Sequence, residues 1–456
     1  MSASISTKGT VKFLTLGCRL NQYETQAMRE RLALDGYREA VSGETVDVFV
    51  INTCTVTADA DRDSRYLIRK CHRENPNAKV VVTGCYAEKD YKQIQKIEGV
   101  SHILLNRQKS DVARLLDSCT QLTFKDEDYT LRSKSDFVPL EISKFSGKKR
   151  AYIKVQDGCN HACSFCKVVL VRGKSRSREV ESVLEEANRL SQNGYLEIVL
   201  TGIQLGAYGL DFERKRNLCN LIQELLNLNS GMRIRLSSIE PTDVTDELID
   251  LMSGNSSICP HLHIPLQSGS NKVLTAMNRR YGNHFYLELV SRLKNCVPDF
   301  VLTTDVMVGF PGEEDSDFQN TIDTLLSTKP LKIHTFPYSL REGTRAFGMK
   351  LVESQIIAQR MEVLNRLEEE LRCEVQREYI GRTLNVLIEG NERDLDFEGH
   401  AHNFLLVRVQ SHPNLSPNRM VAVQIEEMKS NVLFGNVPSL ISKAKGYSHG
   451  VSHGHY

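Results

Sequence analysis

Hydrophobic and polar positions in the first 125 residues alternate between short apolar runs and longer polar stretches. Three runs are rich in β-branched residues and bounded by turn or polar residues: V-K-F-L-T-L at 11–16, V-D-V-F-V-I at 46–51 and A-K-V-V-V-T at 78–83. Continuous apolar strands separated by helix-like stretches are typical of a parallel α/β sheet. The pattern therefore predicts an N-terminal parallel α/β domain over residues 9–125.

A second region, residues 148–375, repeats the alternation of strand-like and helix-like runs. A polar, mixed-charge stretch at 126–147 precedes it and is predicted to be a linker. Helical patterns such as V-E-S-V-L-E-E-A-N-R-L at 180–190 separate most of its strand-like runs. Six βα units predict an incomplete (β/α)6 barrel, with functional residues at the carboxyl ends of the strands. The predicted strands are 151–155, 196–201, 233–238, 261–266, 300–310 and 332–338.

The spacing of hydrophobic positions changes again in residues 376–441. L-N-V-L-I-E-G, F-L-L-V-R-V and M-V-A-V-Q-I alternate between apolar and polar positions and are interrupted by turn residues. This pattern predicts a small antiparallel β-barrel. The tail, 442–456, contains His449, His453 and His455, which are potential metal ligands, although a frayed tail is the interpretation that we favour.

Composition and charge exclude several classes of protein. The chain has 456 residues, 25% charged and 40% hydrophobic, with a formal net charge of +1. This balance argues against intrinsic disorder and against a global field that attracts nucleic acid, so any basic surface is local. No apolar run approaches the roughly 20 residues that span a bilayer. The first residues lack the apolar core of a signal peptide. We expect a cytoplasmic protein with no membrane association.

Twelve cysteines occur in the chain, and in the cytoplasm their thiols are expected to be reduced rather than paired in disulfides. Six of them have no spacing typical of metal ligands, and we interpret them as small residues that are packed or partly exposed. These six are Cys71, Cys119, Cys219, Cys259, Cys296 and Cys373.

Cys18, Cys54 and Cys85 each follow one of the three N-terminal strands. Ligand sites of open parallel sheets lie outside the carboxyl ends of the strands. The three thiols are therefore expected to converge, although they are far apart in sequence. The alternative interpretation is three small buried residues in βα turns.

Three further thiols lie within C-N-H-A-C-S-F-C at 159–166, directly after the first strand of the second region. A closed structural zinc site normally has four ligands, and His161 is inside the short loop, where we expect it to point away. Three thiolates on a cubane iron–sulfur cluster leave one iron open to a reacting molecule. Phe165 is predicted to pack beside a bound cofactor.

These motifs resemble a known family along nearly the whole chain. C-N-H-A-C-S-F-C is similar to the signature of radical S-adenosylmethionine (SAM) enzymes. T-L-G-C-R-L-N-Q-Y-E-T, I-N-T-C-T-V-T and T-G-C-Y-A resemble the N-terminal domain of methylthiotransferases. Six further stretches match the core of that family in order: R-G-K-S-R-S-R, L-S-S-I-E-P, H-L-H-I-P-L-Q-S-G-S, M-N-R-R-Y, V-G-F-P-G-E and F-P-Y-S-L-R-E-G-T. The C-terminal barrel resembles its TRAM domain.

The resemblance implies two [4Fe–4S] clusters. The cluster held by Cys159, Cys163 and Cys166 would chelate SAM through its open iron and release a 5′-deoxyadenosyl radical. The resemblance also implies an auxiliary cluster that carries the sulfur to be inserted. One SAM would methylate that sulfur, and another would supply the radical that abstracts hydrogen from the substrate. The ligands of the auxiliary cluster would be Cys18, Cys54 and Cys85.

The resemblance further implies SAM contacts on the strand ends of the core. Gly202 and Gln204 would meet the SAM amino group, and Ser238 and Glu240 the ribose hydroxyls. Gly202 is also compatible with a tight turn. For the glutamine and serine residues, capping and loop hydrogen bonds are an equal alternative. The residues expected to line the pocket are Gln267, Ser268 and Gly309.

The subgroup most similar in sequence acts on N6-threonylcarbamoyladenosine next to the tRNA anticodon and yields the 2-methylthio derivative. Isopentenyladenosine in tRNA and a ribosomal-protein aspartate are the competing substrates. The resemblance implies tRNA, a flavodoxin- or ferredoxin-like reductant and a sulfur donor as partners. An iron–sulfur electron carrier without catalysis and a simple RNA-binding protein are alternatives from other classes.

Local basic residues bracket the cysteine motifs and predict phosphate contacts. One set follows Cys54, a second surrounds residues 159–166, and a third lies in the C-terminal barrel region. They are Arg62, Arg65, Arg69, Lys70 and Arg73; Lys144, Lys148, Lys149, Arg150, Lys154, Lys167, Arg172, Lys174, Arg176 and Arg178; and Arg377, Arg382 and Arg408.

Overall fold

The computed structural model describes residues 7–117, 137–392, 396–410 and 415–438. Within these ranges no helix combines the length and the apolar character needed to cross a membrane. The first half of the predicted linker, Cys119 and the histidine-containing tail lie outside the described residues. Described residues of the linker pack on the core, where Leu140, Ile142 and Phe145 are buried. The domain boundaries stay predictions.

The N-terminal region forms one parallel sheet with strand order β2-β1-β3-β4-β5. The three predicted strands are confirmed as β1, β3 and β4, and all six residues of β3 are buried, as expected for a strand covered on both faces. The pattern missed the two edge strands, since β2 has three residues and β5 contains Ser101 and His102. The strands are β1 (Gly9–Thr15), β2 (Tyr37–Glu39), β3 (Val48–Thr53), β4 (Lys79–Gly84) and β5 (Val100–Leu104).

Helix α1 has two buried faces and connects the N-terminal sheet to the rest of the molecule. Met28 and Leu32 pack into the core of the N-terminal sheet, whereas Tyr23 and Ala27 pack into the core of the central region. A helix that is buried on two sides fixes the relative position of the elements it touches. The helices of this region are α1 (Arg19–Leu34), α2 (Ala58–Glu74), α3 (Cys85–Ile94) and α4 (Val112–Asp117).

The central region contains the six predicted parallel strands and one added two-strand antiparallel ribbon, β7–β8. The parallel strands form two sheets, β10-β9-β6 and β11-β12-β13. Parallel bridges from Ser238 to His263 and from Ile234 to Ile258 continue β10 towards β11. The predicted incomplete (β/α)6 barrel is confirmed. The strands are β6 (Ala151–Lys154), β7 (Gln156–Asp157), β8 (Arg176–Ser177), β9 (Glu197–Thr201), β10 (Arg233–Leu236), β11 (His261–His263), β12 (Val301–Val308) and β13 (Lys332–Pro337).

Helices cover the outside of this half-barrel, and the helix predicted at 180–190 is confirmed as α6. Its buried residues include Val183, Ala187 and Leu190, spaced three and four apart on one face. The helices are α5 (Val168–Arg172), α6 (Val180–Gln192), α7 (Leu218–Asn227), α8 (Asp246–Gly254), α9 (Asn271–Ala276), α10 (Asn283–Cys296), α11 (Asp315–Thr328) and α12 (Ser354–Arg377).

The C-terminal region is a closed barrel of five strands in the order β14-β15-β16-β18-β17. Four pairs are antiparallel, as predicted, but β16 and β18 are parallel. Strand directions cannot alternate all the way around a closed ring with an odd number of strands, so the difference follows from the strand count. The strands are β14 (Thr383–Glu392), β15 (Asp396–Ala401), β16 (Leu406–Gln410), β17 (Met420–Lys429) and β18 (Val432–Asn436).

Two buried arginines of the half-barrel hold the C-terminal barrel. Arg233 and Arg235 both donate to the carboxylate of Glu197, at 2.5 and 2.6 Å. Their terminal Nη groups also donate to main-chain oxygens of the barrel at 2.9–3.2 Å. These acceptors belong to Asn385, His400, Ala401 and His402.

This contact lies at the amino ends of the half-barrel strands. Glu197, Arg233 and His261 are the first residues of β9, β10 and β11. The His261 ring stacks on Phe404 of the C-terminal barrel with 4.4 Å between ring centroids. The C-terminal barrel therefore covers the end of the half-barrel opposite the carboxyl ends of its strands.

We predict that Glu197→Gln loosens this contact. Burial opposes ionisation of Glu197, but Arg235 and Arg233 outweigh it and hold its pKa at about 2. Removing the carboxylate charge leaves two buried guanidiniums without their anion, which costs about 3–5 kcal/mol. Thermal unfolding and limited proteolysis of the C-terminal barrel would measure the loss. The matched control is Glu362→Gln, which breaks an exposed ion pair with Arg366. Loss of an exposed pair costs less than about 1 kcal/mol of folding free energy.

The pH dependence distinguishes a lost charge from a general packing defect. Because folding lowers the pKa of Glu197, its contribution is complete above about pH 4.5 and is lost as the pH falls towards 2. The stability difference between wild type and Glu197→Gln should shrink over that range. A difference that is constant with pH would contradict a charge-based contact.

Candidate active site

Cys159, Cys163 and Cys166 lie on one loop that follows the β6 strand. Gly158 starts the loop with φ +75°, and a Cβ atom there would lie 2.0 Å from the carbonyl oxygen of Lys174, so only glycine fits. Ser164 fixes the middle of the loop by donating its hydroxyl to Ala276 O at 2.8 Å. The loop therefore presents its three thiols from a defined backbone.

Each sulfur of this loop accepts a hydrogen bond. The backbone N–H of His161 donates to Cys159 Sγ at 3.3 Å, and that of Val168 donates to Cys166 Sγ at 3.4 Å. Arg279 Nη1 lies 3.4 Å from Cys163 Sγ. N–H donors stabilise thiolates and the sulfurs of iron–sulfur clusters.

Burial is the largest effect that keeps the thiols of Cys159 and Cys166 protonated. It raises the pKa of Cys159 to about 11 and that of Cys166 to about 12. A metal centre that binds such thiols must displace their protons, and the N–H donors then stabilise the resulting thiolates. The donor set fits an iron–sulfur cluster, since the three sulfurs already lie within reach of positive hydrogen atoms.

The second set of thiols lies at the carboxyl ends of β1, β3 and β4, which are neighbours in the N-terminal sheet. Gly17 precedes Cys18 with φ +93°, and a Cβ there would lie 2.9 Å from Cys54 Sγ. Cys85 begins α3 directly after Gly84, where a Cβ would lie 2.3 Å from Thr53 O. The structure brings the three predicted thiols together. Burial, with smaller contributions from Cys85 and Cys18, raises the pKa of Cys54 to about 11.

Thiols from both sets line one cavity of about 470 Å³. All three N-terminal cysteines line it, together with Cys166 from the core loop. No three Cys, His, Asp or Glu side chains of the described residues are placed to hold a single metal ion. In a cubane cluster each thiolate binds its own iron, so its ligands are more widely spaced. Other lining residues are Phe165, Gln267, Asp305, Met307 and Phe336.

A buried group of charged side chains, called here the Glu24 network, lies beside this cavity. Glu24 of α1 accepts from Lys154 Nζ at 2.8 Å and Arg172 Nη1 at 2.7 Å, and it also pairs with Lys109. Burial opposes its ionisation, but Arg172, Lys109 and Lys154 outweigh burial and hold the pKa of Glu24 well below its usual value. The network is completed by Asp157 and Arg176.

The Glu24 network contains two carboxylates and four cations. Arg172 also places its Nε 3.4 Å from Cys85 Sγ. An excess of positive charge at a buried thiol favours the thiolate and a negatively charged group bound to it. The N-terminal thiols therefore also fit a cluster, although Cys18 is exposed.

Gln204 lies closest to the core loop among the predicted SAM contacts. Its Oε1 is 3.4 Å from both Cys159 Sγ and the backbone N of Asn160, and its Nε2 is 2.9 Å from His161 Nε2. Gly202 has ordinary backbone angles, but a Cβ there would approach Gln156 Oε1 to 2.9 Å. Close packing explains this glycine, and its SAM contact stays a prediction.

Glu240 and Ser238 follow the end of β10. Glu240 accepts from Arg279 Nη2 at 2.7 Å, which orients Arg279 towards Cys163. Ser238 forms the bridge to His263 that continues the sheet. Their predicted contacts with the SAM ribose stay predictions.

Three more predicted residues have different settings. Gln267 lines the cavity with φ +62°, and its buried Oε1 has no hydrogen-bond partner among the described residues. Ser268 is fully buried, and its hydroxyl contacts Thr321 and accepts from Ser270 N. Gly309 has φ +74° and faces Ile357, which a Cβ would approach to 2.5 Å. Gln267 is thus best placed to meet a ligand.

Several basic residues predicted to bind phosphate are buried, and that prediction is wrong for them. Arg172 belongs to the Glu24 network, and Arg178 pairs with Glu186 and donates to Ser182. Lys154 and Lys167 are 4% and 5% exposed. Charge in sequence did not distinguish a solvated patch from an internal network. Seven of the basic residues predicted after Cys54 and around residues 159–166 are exposed: Arg62, Arg69, Lys70, Arg73, Lys144, Lys148 and Lys174.

Sequence reasoning missed Glu24, Asp157 and Arg279 as members of the site. The available signal for Glu24 was helical spacing, since Asn21 and Glu24 are three residues apart and share one face of α1. Arg279 stands within M-N-R-R-Y, a stretch already quoted for the family resemblance. Neither signal specifies a contact with a distant cysteine.

Comparisons with known proteins agree with this architecture. The Radical SAM superfamily model matches residues 153–325, and the model described as Uncharacterized protein family UPF0004 matches residues 10–106. Among solved structures, the radical S-adenosylmethionine methyltransferase TsrM from Kitasatospora setae aligns with a TM-score of 0.54. It is 14% identical, over 74% of this chain and 77% of that one, and shows similarity of fold alone.

Curated relatives span almost the full chain. The threonylcarbamoyladenosine tRNA methylthiotransferase MtaB of Chlamydia pneumoniae is 35% identical over 94% of this chain and 98% of its own. The protein of that name from Bacillus subtilis is 37% identical over 87% and 90%. A tRNA-2-methylthio-N(6)-dimethylallyladenosine synthase of Carboxydothermus hydrogenoformans is 30% identical over 91% and 96%. Membership of the radical SAM superfamily implies SAM and a [4Fe–4S] cluster. The chain belongs to the methylthiotransferase family of radical SAM enzymes.

Proposed function

We propose that this protein converts N6-threonylcarbamoyladenosine next to the tRNA anticodon into its 2-methylthio derivative. In this proposal two [4Fe–4S] clusters and SAM are the cofactors. SAM serves both as methyl donor and as radical source. A reductant protein and a sulfur donor are the expected partners.

One observation carries the proposal: thiols from both sets line a single cavity. Cys166 lines it from the core, and Cys18, Cys54 and Cys85 line it from the N-terminal sheet. Bound there, the clusters and SAM supply an electron, an organic radical and the sulfur. Sulfur insertion needs the hydrogen-abstracting group and the sulfur at one substrate carbon, so a shared cavity supports it more directly than two separate pockets would.

The residues of the chain hold and orient these groups. Each set of three cysteines leaves one iron of its cluster free for an external ligand. Gln267 lines the cavity, and Gln204 lies against Cys159 and Asn160 of the core loop, so that both amide groups are close to where a small polar ligand needs hydrogen-bond partners. Apolar side chains, among them Phe165, Met307 and Phe336, line the cavity and limit access of water to a reactive radical.

The choice of tRNA base rests on the relatives. The two MtaB proteins named for threonylcarbamoyladenosine are 35% and 37% identical, against 30% for the dimethylallyladenosine synthase. The flanking L-G-C-R-L-N-Q-Y-E-T also resembles the first subgroup. The dimethylallyl substrate remains the competing assignment.

A basic stripe on α2 is the surface that we assign to tRNA. Arg62, Tyr66, Arg69 and Arg73 follow one another at steps of four, three and four residues, which places them on one helix face. All four are exposed. Thr57 caps the start of α2 and lines the cavity, so the stripe begins at the cavity wall. Cationic side chains beside an exposed aromatic ring suit a folded RNA with an unstacked base.

We predict that the two sets of thiols bind clusters independently. Changing Cys159, Cys163 and Cys166 together to Ala should roughly halve the iron content and abolish SAM cleavage, because the SAM-binding cluster is lost. Changing Cys18, Cys54 and Cys85 should also halve the iron, but it should leave reductive SAM cleavage and stop methylthio product. Iron analysis, Mössbauer spectra and 5′-deoxyadenosine assays measure these outcomes. Cys296→Ala, an exposed cysteine outside both sets, is the matched control.

A protein that holds one cluster and loses it in either triple variant would contradict two independent sites. Methylthio product at wild-type rates from the N-terminal variant would show that Cys18, Cys54 and Cys85 do not serve sulfur transfer.

A competition assay tests the substrate. With reductant, SAM and a sulfur source, the enzyme should modify threonylcarbamoyladenosine tRNA at least about tenfold faster than isopentenyladenosine tRNA or the ribosomal protein, which corresponds to about 1.4 kcal/mol. Nucleoside mass spectrometry measures the two tRNA products, and peptide mass spectrometry the third. Preference for isopentenyladenosine would reassign the substrate within the family.

The basic stripe gives a further prediction. Arg62, Arg69 and Arg73 changed together to Gln should weaken tRNA binding and lower the slope of log affinity against log salt by about 2, since three phosphate contacts are lost. SAM cleavage without tRNA should persist. Arg366→Gln, which removes an exposed arginine on α12, is the control. Unchanged binding and salt slope would place the tRNA elsewhere on the surface.

A further inference from the structure

A five-residue helix connects the sulfurs of the two sites. The α5 helix, Val168–Arg172, begins two residues after Cys166. At its start the backbone N–H of Val168 donates to Cys166 Sγ at 3.4 Å. At its end Arg172 directs Nε to Cys85 Sγ, also at 3.4 Å. One short element of the core therefore contacts a ligand sulfur of each predicted cluster.

The rest of the Arg172 guanidinium is held rigidly. Nη1 donates to Glu24 at 2.7 Å and to Asp157 at 3.2 Å, and Nη2 donates to Asn21 at 2.8 Å. The side chain is 1% exposed. Because acceptors fix both terminal nitrogens, Nε–H cannot turn away from Cys85 without breaking buried ionic hydrogen bonds.

An arginine that served structure alone would have no need of the cysteine. Glu24 and Asp157 already accept hydrogen bonds from its Nη1, and Asn21 accepts from its Nη2, so the side chain is held in place without the cysteine. Yet the guanidinium is oriented so that its Nε–H points to Cys85 Sγ, a predicted cluster ligand in the N-terminal region. Hydrogen bonds to ligand sulfurs raise the reduction potential of iron–sulfur clusters, since they withdraw electron density from the thiolate.

We propose that Arg172 is a positioning residue for the auxiliary cluster, which it holds through Cys85 Sγ in a fixed relation to the radical loop. It raises the reduction potential of that cluster and couples its placement to Cys166 through α5. This inference rests on the proposed second cluster and adds a residue of the core to its environment.

Redox titration followed by EPR on the reconstituted full-length enzyme tests the inference. Arg172→Gln should shift the potential of the auxiliary cluster to more negative values and alter its EPR signal. Arg172→Lys keeps the positive charge but removes the guanidinium Nε–H, and it should shift the potential in the same direction. The radical SAM cluster should keep its potential. Methylthio product should fall with the shift.

Lys154→Met is the matched control, since it removes another cation of the Glu24 network, one that has no hydrogen bond to a cysteine among the described residues. It should lower thermal stability without shifting the auxiliary potential. If Arg172→Gln loses the auxiliary cluster altogether while Lys154→Met retains it, as shown by iron content, the positioning role is also supported.

Two results would overturn the inference. If wild type holds two clusters and both Arg172 variants leave the auxiliary potential and EPR signal unchanged, or behave as Lys154→Met does, Arg172 is only a structural residue and the proposed function stands. If wild type holds a single cluster, the proposed function and this inference fail together, and iron content distinguishes the two cases.

Discussion

The arrangement of this molecule depends on the ion pairing of Glu24. A carboxylate buried with 1% exposure is stable only if cations surround it, and here they come from different parts of the chain: Lys109 from the N-terminal region, and Lys154 and Arg172 from the core. The interaction therefore forms only when the N-terminal sheet and the half-barrel are in contact. The contact brings the carboxyl ends of two independent strand systems to the same cavity.

Parallel sheets explain why cysteines so distant in sequence act together. Cys18, Cys54 and Cys85 each occupy the first turn after a strand, and neighbouring parallel strands end at one edge. The core loop follows the same rule after β6. Each site thus needs few residues from its own domain, and the buried cations and backbone N–H groups around it supply the electrostatic environment that thiolates require.

The sequence was informative where periodicity and position determine structure. Nine parallel strands of the first two regions were predictable from short apolar runs between helical stretches. The location of six cysteines followed, because the carboxyl end of a parallel strand is a defined place. Edge strands such as Tyr37–Glu39 lack that constraint. The fate of charged residues was not predictable either. Arg178 and Lys174 stand in one basic run, yet Arg178 is buried against Glu186 and Lys174 is exposed. Which of them is internal depends on a partner that only the tertiary contact supplies.

The attachment of the C-terminal barrel has an evolutionary consequence. Arg233 and Arg235 donate hydrogen bonds to main-chain oxygens of the barrel, and every residue type provides such an oxygen. Substitutions on the outer face of the barrel therefore leave these hydrogen bonds intact, provided that the backbone of the strands does not move. Such a module is free to diversify its surface, and to acquire new recognition properties, while its seat on the catalytic core is inherited unchanged.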